Sequence, residues 1–213
     1  MQRLRVRLSS DGPVLIFGGS FDPPTQAHCE LPALAAEQLG ASRLIYVPAA
    51  VSPHKTASPP ASPAHRLEML RLSVLEGAEI DTQELDREGV SYMIDTLESL
   101  RADISSRIAM RLLIGTDQAV AFHRWHRWQD ILAIAQPVVM RRGSQDIELL
   151  LRDIDLAQGS GQGDRWREWL LDLPQMPQSS TAARDQVAAS SKASHDVPPL
   201  VADYIAANGV YKS

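Results

Sequence analysis

The sequence predicts an α/β protein: an open, doubly wound, mostly parallel sheet in one domain covering residues 1–213, with a small helical part at about 179–213. Three observations carry that prediction. Short, wholly apolar runs, typical of strands covered on both faces, alternate with segments of helical periodicity. The runs stop on glycine or proline. No internal repeat competes with the alternation, which sets parallel strands side by side with helices crossing over them.

The first run, Val14-Leu-Ile-Phe17, closes on Gly18-Gly19. From Ala27, the segment AHCELPALAAEQLGA places Leu31, Leu34, Ala35 and Leu39 at helical spacing and stops at Gly40; Pro32 is tolerable only near a first turn. RLIYVPA repeats the strand signature, so the opening predicts a right-handed parallel βαβ unit. Residues 50–64, rich in Pro, Ser and Ala, read as a mobile loop of the kind used for lids and binding segments. Helical periodicity resumes over His65 to Glu76, AEIDTQEL reads as a strand, and Ser91 to Asp103 reads as a helix capped by Ser91. RLLIGTD is a strand ending at Gly115, followed by a short helix in WQDILAIA, a strand in PVVMRR and a helix in IELLLRDI. Ala157 to Asp164 reads as a flexible glycine-rich turn and WREWLLDLPQMP closes the sheet. SSTAARDQVAAS then starts a helix, and the last helix is stopped by Asn208-Gly209.

An apolar fraction of 44% and a charged fraction of 22% are ordinary for a globular protein. The formal charge of -5 and pI near 5.7 argue against a broad nucleic-acid footprint, while leaving room for a local basic pocket around a small polyanion. The single cysteine, Cys29, excludes an internal disulfide and a cysteine-rich zinc cage. No run approaches the roughly 20 apolar residues of a membrane span, and none forms a signal-peptide core. A cytoplasmic protein with no membrane or nucleic-acid partner is the expectation, and a homo-oligomer stays open.

In a sheet of this type, ligands bind just beyond the carboxyl ends of the strands. Gly18 and Gly19 lie there, where glycines let backbone N–H groups approach an anion; a plain tight turn is the alternative. Their spacing fits neither GxGxxG nor GxxxxGK[ST]. His28, one turn into the following helix, can donate to charge developing on a phosphoryl oxygen beside Thr25, or can be a helix-surface histidine. Asp22 reads as a turn or cap residue. HRWHRW interleaves aromatic and basic residues, but one short cluster in an acidic chain is a poor nucleic-acid tract. His123 and His126 have no third ligand at supporting spacing, so no protein-bound metal is assigned.

GGSFDPPTQAH, Gly18 to His28, resembles the T/HxGH motif of the nucleotidyltransferase superfamily, and specifically the GG[ST]FDPPHxGH form of bacterial nicotinate mononucleotide adenylyltransferases. The resemblance continues through PHK (53–55), HRLEML, SYMIDTL, LLIGTDQAVAFHRWHRW, SSTAAR and VPPLVADYIAANGVY. Several separate motifs in the right order are more specific than any one of them. The resemblance implies a Rossmann-like nucleotidyltransferase fold. It also implies attack by the phosphate of nicotinate mononucleotide on the α-phosphorus of ATP, with magnesium on the triphosphate, pyrophosphate released, and a place in NAD biosynthesis.

It further implies site residues. His28 would contact ATP phosphate, Thr25 would stand where many relatives carry a first histidine, and Gly18, Gly19, Ser20 and Phe21 would cradle phosphate or ribose of ATP and substrate. Lys55, a compact charge on a long arm in the loop, would reach phosphates; a solvated lysine is the alternative. Ser179, Ser180, Thr181 and Arg184, at a helix start, suit the β- and γ-phosphates of ATP, or form a capping motif with a surface arginine. Gly115 and Asp117 would lie near the ATP ribose at a strand end. Trp125 would wall the pyridine, with Trp128 in packing. Residues Gly89 through Met93, including Ser91 and Tyr92, together with Thr96, would meet the substrate. Thr25, His28, Lys55 and Arg184 form the expected catalytic set.

The sequence departs from the family pattern at four further positions. Ala27 replaces a usual glycine, Met93 a usual threonine, and Gln178 and Ala183 usual isoleucines. Loss of a donor at Met93 could alter discrimination between acid and amide. Nicotinamide mononucleotide or another small phosphate is therefore an alternative acceptor, and a catalytically weak nucleotide-binding paralogue is a third reading.

Overall fold

The computed structural model describes residues 5–50, 61–87, 90–141, 146–190 and 196–211. Its strands are β1 (Val14–Gly19), β2 (Arg43–Pro48), β3 (Glu79–Ile80), β4 (Met110–Gly115) and β5 (Ala135–Met140). All pair in parallel, in the order β3-β2-β1-β4-β5. The helices are α1 (Gln26–Gln38), α2 (Pro63–Ser73), α3 (Gln83–Asp86), α4 (Met93–Asp103), α5 (Thr116–Ala121), α6 (Trp128–Ile134), α7 (Ile147–Gln158), α8 (Gln162–Arg167), α9 (Ser180–Ser190) and α10 (Pro199–Asn208). The chain builds outward from β1 to β3, then returns to β4 on the other side of β1. Strand order therefore reverses between β1 and β4, and their carboxyl ends are where sheets of this type bind ligands.

Residue alternation along β1 divides the core. Val14 and Ile16 face a cluster built with α4, α5, α6, α7 and α8, while Leu15 and Phe17 face one built with α1 and Leu70 of α2. A third cluster joins Met69 of α2 to Ala183 and Val187 of α9 and to Val201, Ala202 and Ile205 of α10. The helical part expected near the end of the chain thus packs on α2.

Several elements differ from the sequence expectation. Only Glu79 and Ile80 of AEIDTQEL form a strand. The Asp81 carboxylate accepts the Gln83 N–H at 2.9 Å, turning the chain into α3. Ser91 lies outside α4, whose N-cap position is Tyr92. The Ser91 hydroxyl instead donates to the Glu84 carbonyl at 3.3 Å. The predicted turn at Ala157–Asp164 is mostly helix, because α7 runs to Gln158 and α8 starts at Gln162. Gly159, Ser160 and Gly161 make the bend between them, with both glycines at positive φ. WREWLLDLPQMP does close the sheet, with the Trp169 carbonyl and Leu171 N–H both bonded to Val139.

One charged side chain ties the sheet to α2. Arg66 shares the buried face of that helix with Met69, Leu70 and Ser73 and is 1% exposed. Its guanidinium donates to the carbonyls of Ser20 (2.9 Å), Ala49 (2.7 Å), Ala50 (2.8 Å) and Ala61 (3.2 Å). It thereby holds together the chain leaving β1, the chain leaving β2 and the chain entering α2. Replacing it by methionine, unbranched, shorter and apolar, strands several buried acceptors. Arg66→Met should cost about 3 kcal/mol in urea unfolding, and a loss below about 1 kcal/mol would deny Arg66 this role.

Candidate active site

At the β1–β4 switch, the chain leaves β1 through the loop from Ser20 to Thr25. Gly18 and Gly19 end β1, and each is required for close approach, but by side chains. A Cβ on Gly18 would stand 2.6 Å from the Met93 methyl, and one on Gly19 3.0 Å from the Phe21 ring. Phe21 takes a positive φ of 47°, sparsely populated for a bulky residue. Its ring is buried among Phe17, His28 and Tyr46.

Thr25 is the N-cap of α1 and is fully buried. Its backbone N–H donates to His28 Nδ1 at 3.1 Å, and its hydroxyl lies 2.7 Å from the same nitrogen. A nitrogen that accepts a backbone N–H carries no proton, so the hydroxyl donates too and the ring proton sits on Nε2. Thr25 therefore orients the imidazole. Pro32 lies in mid-helix and cannot bond the His28 carbonyl four residues back. The Tyr46 hydroxyl donates to that carbonyl at 3.0 Å instead. Burial raises the Tyr46 pKa well above the ordinary phenol value, which keeps the proton that this bond needs. Cys29, next in the helix, is equally inert: burial pushes its thiol up to about 12.

The start of α9 forms the opposite wall. The Ser180 hydroxyl donates to the Pro23 carbonyl at 2.8 Å, and Arg184 Nη1 donates to the Asp22 carbonyl at 2.6 Å. Ser179 caps the helix by accepting the Ala182 N–H, while Thr181 is exposed with its hydroxyl 3.4 Å from Arg184 Nη2. The two clusters that the sequence separates by some 150 residues are thus one surface, bridged by Asp22 and Pro23.

On the other side, α4 begins with Met93 against Gly18. Thr96 is wholly buried, its hydroxyl donating to Glu84 Oε1 at 2.8 Å. Tyr92 is 40% exposed and its ring lies 4.4 Å from that of His126. That contact brings the segment holding Trp125 beside the segment 91–93. Trp125 is half-buried, with its ring 5.2 Å from Phe122. Gly115 ends β4 and Asp117 is exposed on the first turn of α5. Lys55 and Gly89 lie outside the described residues. No group of three or more His, Cys, Asp or Glu among the described residues could hold a metal ion. Nor is any described helix long and apolar enough to cross a membrane.

The cytidylyltransferase-like family profile matches residues 16–186, the span holding nearly all of these groups. A Prosthecochloris aestuarii relative named "probable nicotinate-nucleotide adenylyltransferase" is 38% identical over 202 residues, covering 92% of this chain and 96% of the relative. A Marinobacter nauticus relative of the same name is 33% identical over 207 residues, covering 92% and 95%. The chain belongs to the nicotinate-nucleotide adenylyltransferase family. Among solved structures, Plasmodium falciparum nicotinic acid mononucleotide adenylyltransferase complexed with NaAD superposes with a TM-score of 0.71 over 94% of this chain and 97% of that one. At 16% identity it supports the adenylyltransferase fold alone.

Within this adenylyltransferase, sequence reasoning passed over the groups that hold the site residues in place. Asp22, expected as a turn residue, is 5% exposed; its Oδ1 accepts from the Tyr211 hydroxyl at 2.6 Å and the Ala61 N–H at 3.1 Å. Arg66 left one trace, a charge on the apolar face of α2 at i, i+3, i+4, i+7 spacing. Glu84 left none.

Glu84 is 3% exposed. Burial raises its pKa, opposed by the Thr96 hydroxyl and the charge of Arg87. The folded state thus holds this proton more tightly than the unfolded state, so the penalty is absent below about pH 4.5 and grows as pH rises above it. Glu84→Gln should gain more stability over wild type at about pH 8 than at about pH 4 in paired urea titrations. An equal difference at both pH values would show that Glu84 is not a strained acid.

Proposed function

We propose that the protein transfers the adenylyl group of ATP to nicotinate mononucleotide, giving nicotinate adenine dinucleotide and pyrophosphate, in NAD biosynthesis. The observation that carries the reading is the joining of the Thr25–His28 pair to Ser180 and Arg184 through the backbone of Asp22 and Pro23. A donor-bearing imidazole and a guanidinium held on one loop beside the β1–β4 switch support a site for the phosphates of ATP. The acceptor phosphate oxygen forms a bond to the α-phosphorus as the bond to the pyrophosphate oxygen breaks. Such a transfer needs alignment and positive charge more than covalent help. His28 Nε2–H donates to charge on the phosphoryl oxygens, Arg184 and Lys55 neutralise the departing pyrophosphate, and backbone amides of residues 18–21 seat phosphate or ribose. Magnesium enters on the triphosphate as part of the substrate. The buried, reduced Cys29 suits a cytosolic setting.

Towards the acceptor ring, Trp125 and the backbone of 91–93 form the wall, with Thr96 acting through Glu84 on the loop. Asp117 and Gly115 lie on the adenosine side. Met93 gives one reason to weigh a second acceptor: its side chain packs on Gly18 and offers no hydroxyl. A site short of a donor holds a carboxylate less selectively.

Pyrophosphate release from ATP, measured separately with nicotinate and nicotinamide mononucleotide, tests both readings. Turnover should favour the acid. Preference for the amide selects the second acceptor, and ATP binding without turnover on either would reduce the protein to a nucleotide sensor. In the same assay, His28→Ala should lower kcat by about two to three orders of magnitude with folding retained. Kinetics close to wild type would remove His28 from the reaction.

A further inference from the structure

We propose that Tyr211 is a positioning residue for the triphosphate side of the site: by occupying Asp22 Oδ1, it keeps the Asp22 carboxylate from closing on Arg184 and leaves that guanidinium for phosphate. The inference rests on the reading of Arg184 as a triphosphate contact. Three donors converge on Asp22. The Tyr211 hydroxyl and the Ala61 N–H take Oδ1, at 2.6 and 3.1 Å, while Arg184 Nη1 stands 3.8 Å from Oδ2 and bonds the Asp22 carbonyl instead. The pair is thus a loose one, with Arg184 aimed by a neutral carbonyl and not captured by the charge beside it.

Among the described residues, two cations could take up an Asp22 carboxylate released from Tyr211. Arg66 already donates to four carbonyls, so it has little to offer. Among the described residues, Arg184 bonds the Asp22 carbonyl and has a 3.4 Å contact with Thr181. A planar fork and a carboxylate readily make a bidentate pair, which would compete directly with a phosphate. Burial and the hydrogen bond to Asp22 both push the Tyr211 hydroxyl pKa up, so it remains a donor at any working pH.

Tyr211→Phe keeps the ring and removes only the hydroxyl. Steady-state kinetics should show KM for ATP raised about fivefold, the size of one competing charge-assisted hydrogen bond, with kcat unchanged. Asp22→Asn placed on top of it should return KM to the wild-type value, because an amide cannot capture the guanidinium. Asp22→Asn alone, with melting temperatures recorded for every variant, serves if the phenylalanine variant fails to fold; its KM for ATP should not exceed that of wild type. An unchanged KM in Tyr211→Phe, a fall in kcat, or a double variant as weak as the single one overturns the proposal. Absence of turnover by wild-type protein removes the reading of the site, and the proposal with it, and is told apart by that first assay.

Discussion

The buried guanidinium of Arg66 is the constraint around which the site is arranged. Parallel strands deliver their chain ends to one edge of the sheet, and each end carries carbonyls that no neighbouring strand can satisfy. Arg66 collects those of Ser20, Ala49, Ala50 and Ala61 from a position that would otherwise hold an aliphatic side chain. Burial lowers its pKa, and the nearby Asp22 and Tyr211 oppose that shift. The carbonyls and Asp22 together compensate the buried charge. Asp22 in turn fixes Ala61, so the loop leaving β1 and the start of α2 are held from both sides. The α9 wall stands on the same loop through Pro23 and the Asp22 carbonyl, so the aim of Arg184 depends indirectly on Arg66.

His28 is placed by a second chain of causes that runs through the helix itself. Thr25 caps α1 and simultaneously sets the tautomer of the ring three residues on. Pro32 frees the His28 carbonyl, and Tyr46 reaches from β2 to take it. The first turn of α1 is therefore pinned at both its donor and acceptor ends. An interior proline, which ordinarily weakens a helix, here couples the helix to the adjacent strand. The ring of Phe21, packed against both His28 and Tyr46, closes the same unit from the loop side.

The parts legible in the sequence were those governed by local rules. Apolar runs located four strands, two of them ending in glycine, since burial on both faces leaves no polar alternation to confuse them. Motif order located His28, Ser180 and Arg184. The strand read into AEIDTQEL shrank to two residues because an Asp81 side-chain bond ended it, a choice that composition does not reveal. Ser91 looked like a cap by residue type, yet its hydroxyl found the Glu84 carbonyl. Asp22 and Tyr211 were illegible because each bonds a partner 189 residues away, and Glu84 because its partner Thr96 sits on the next helix, beyond any local rule.

Met93 shows how a departure from a family pattern can be absorbed without loss of shape. Its methyl rests where any side chain on Gly18 would have to go, so the glycine at the end of β1 and the first residue of α4 are fitted to each other. The glycine pair thus has a packing reason to exist beside any phosphate reason. Shortening Met93 would open space over Gly18, and a side chain on Gly18 would force the Met93 methyl to move. The end of β1 and the first residue of α4 are coupled at that one contact, so neither Gly18 nor Met93 can be read alone.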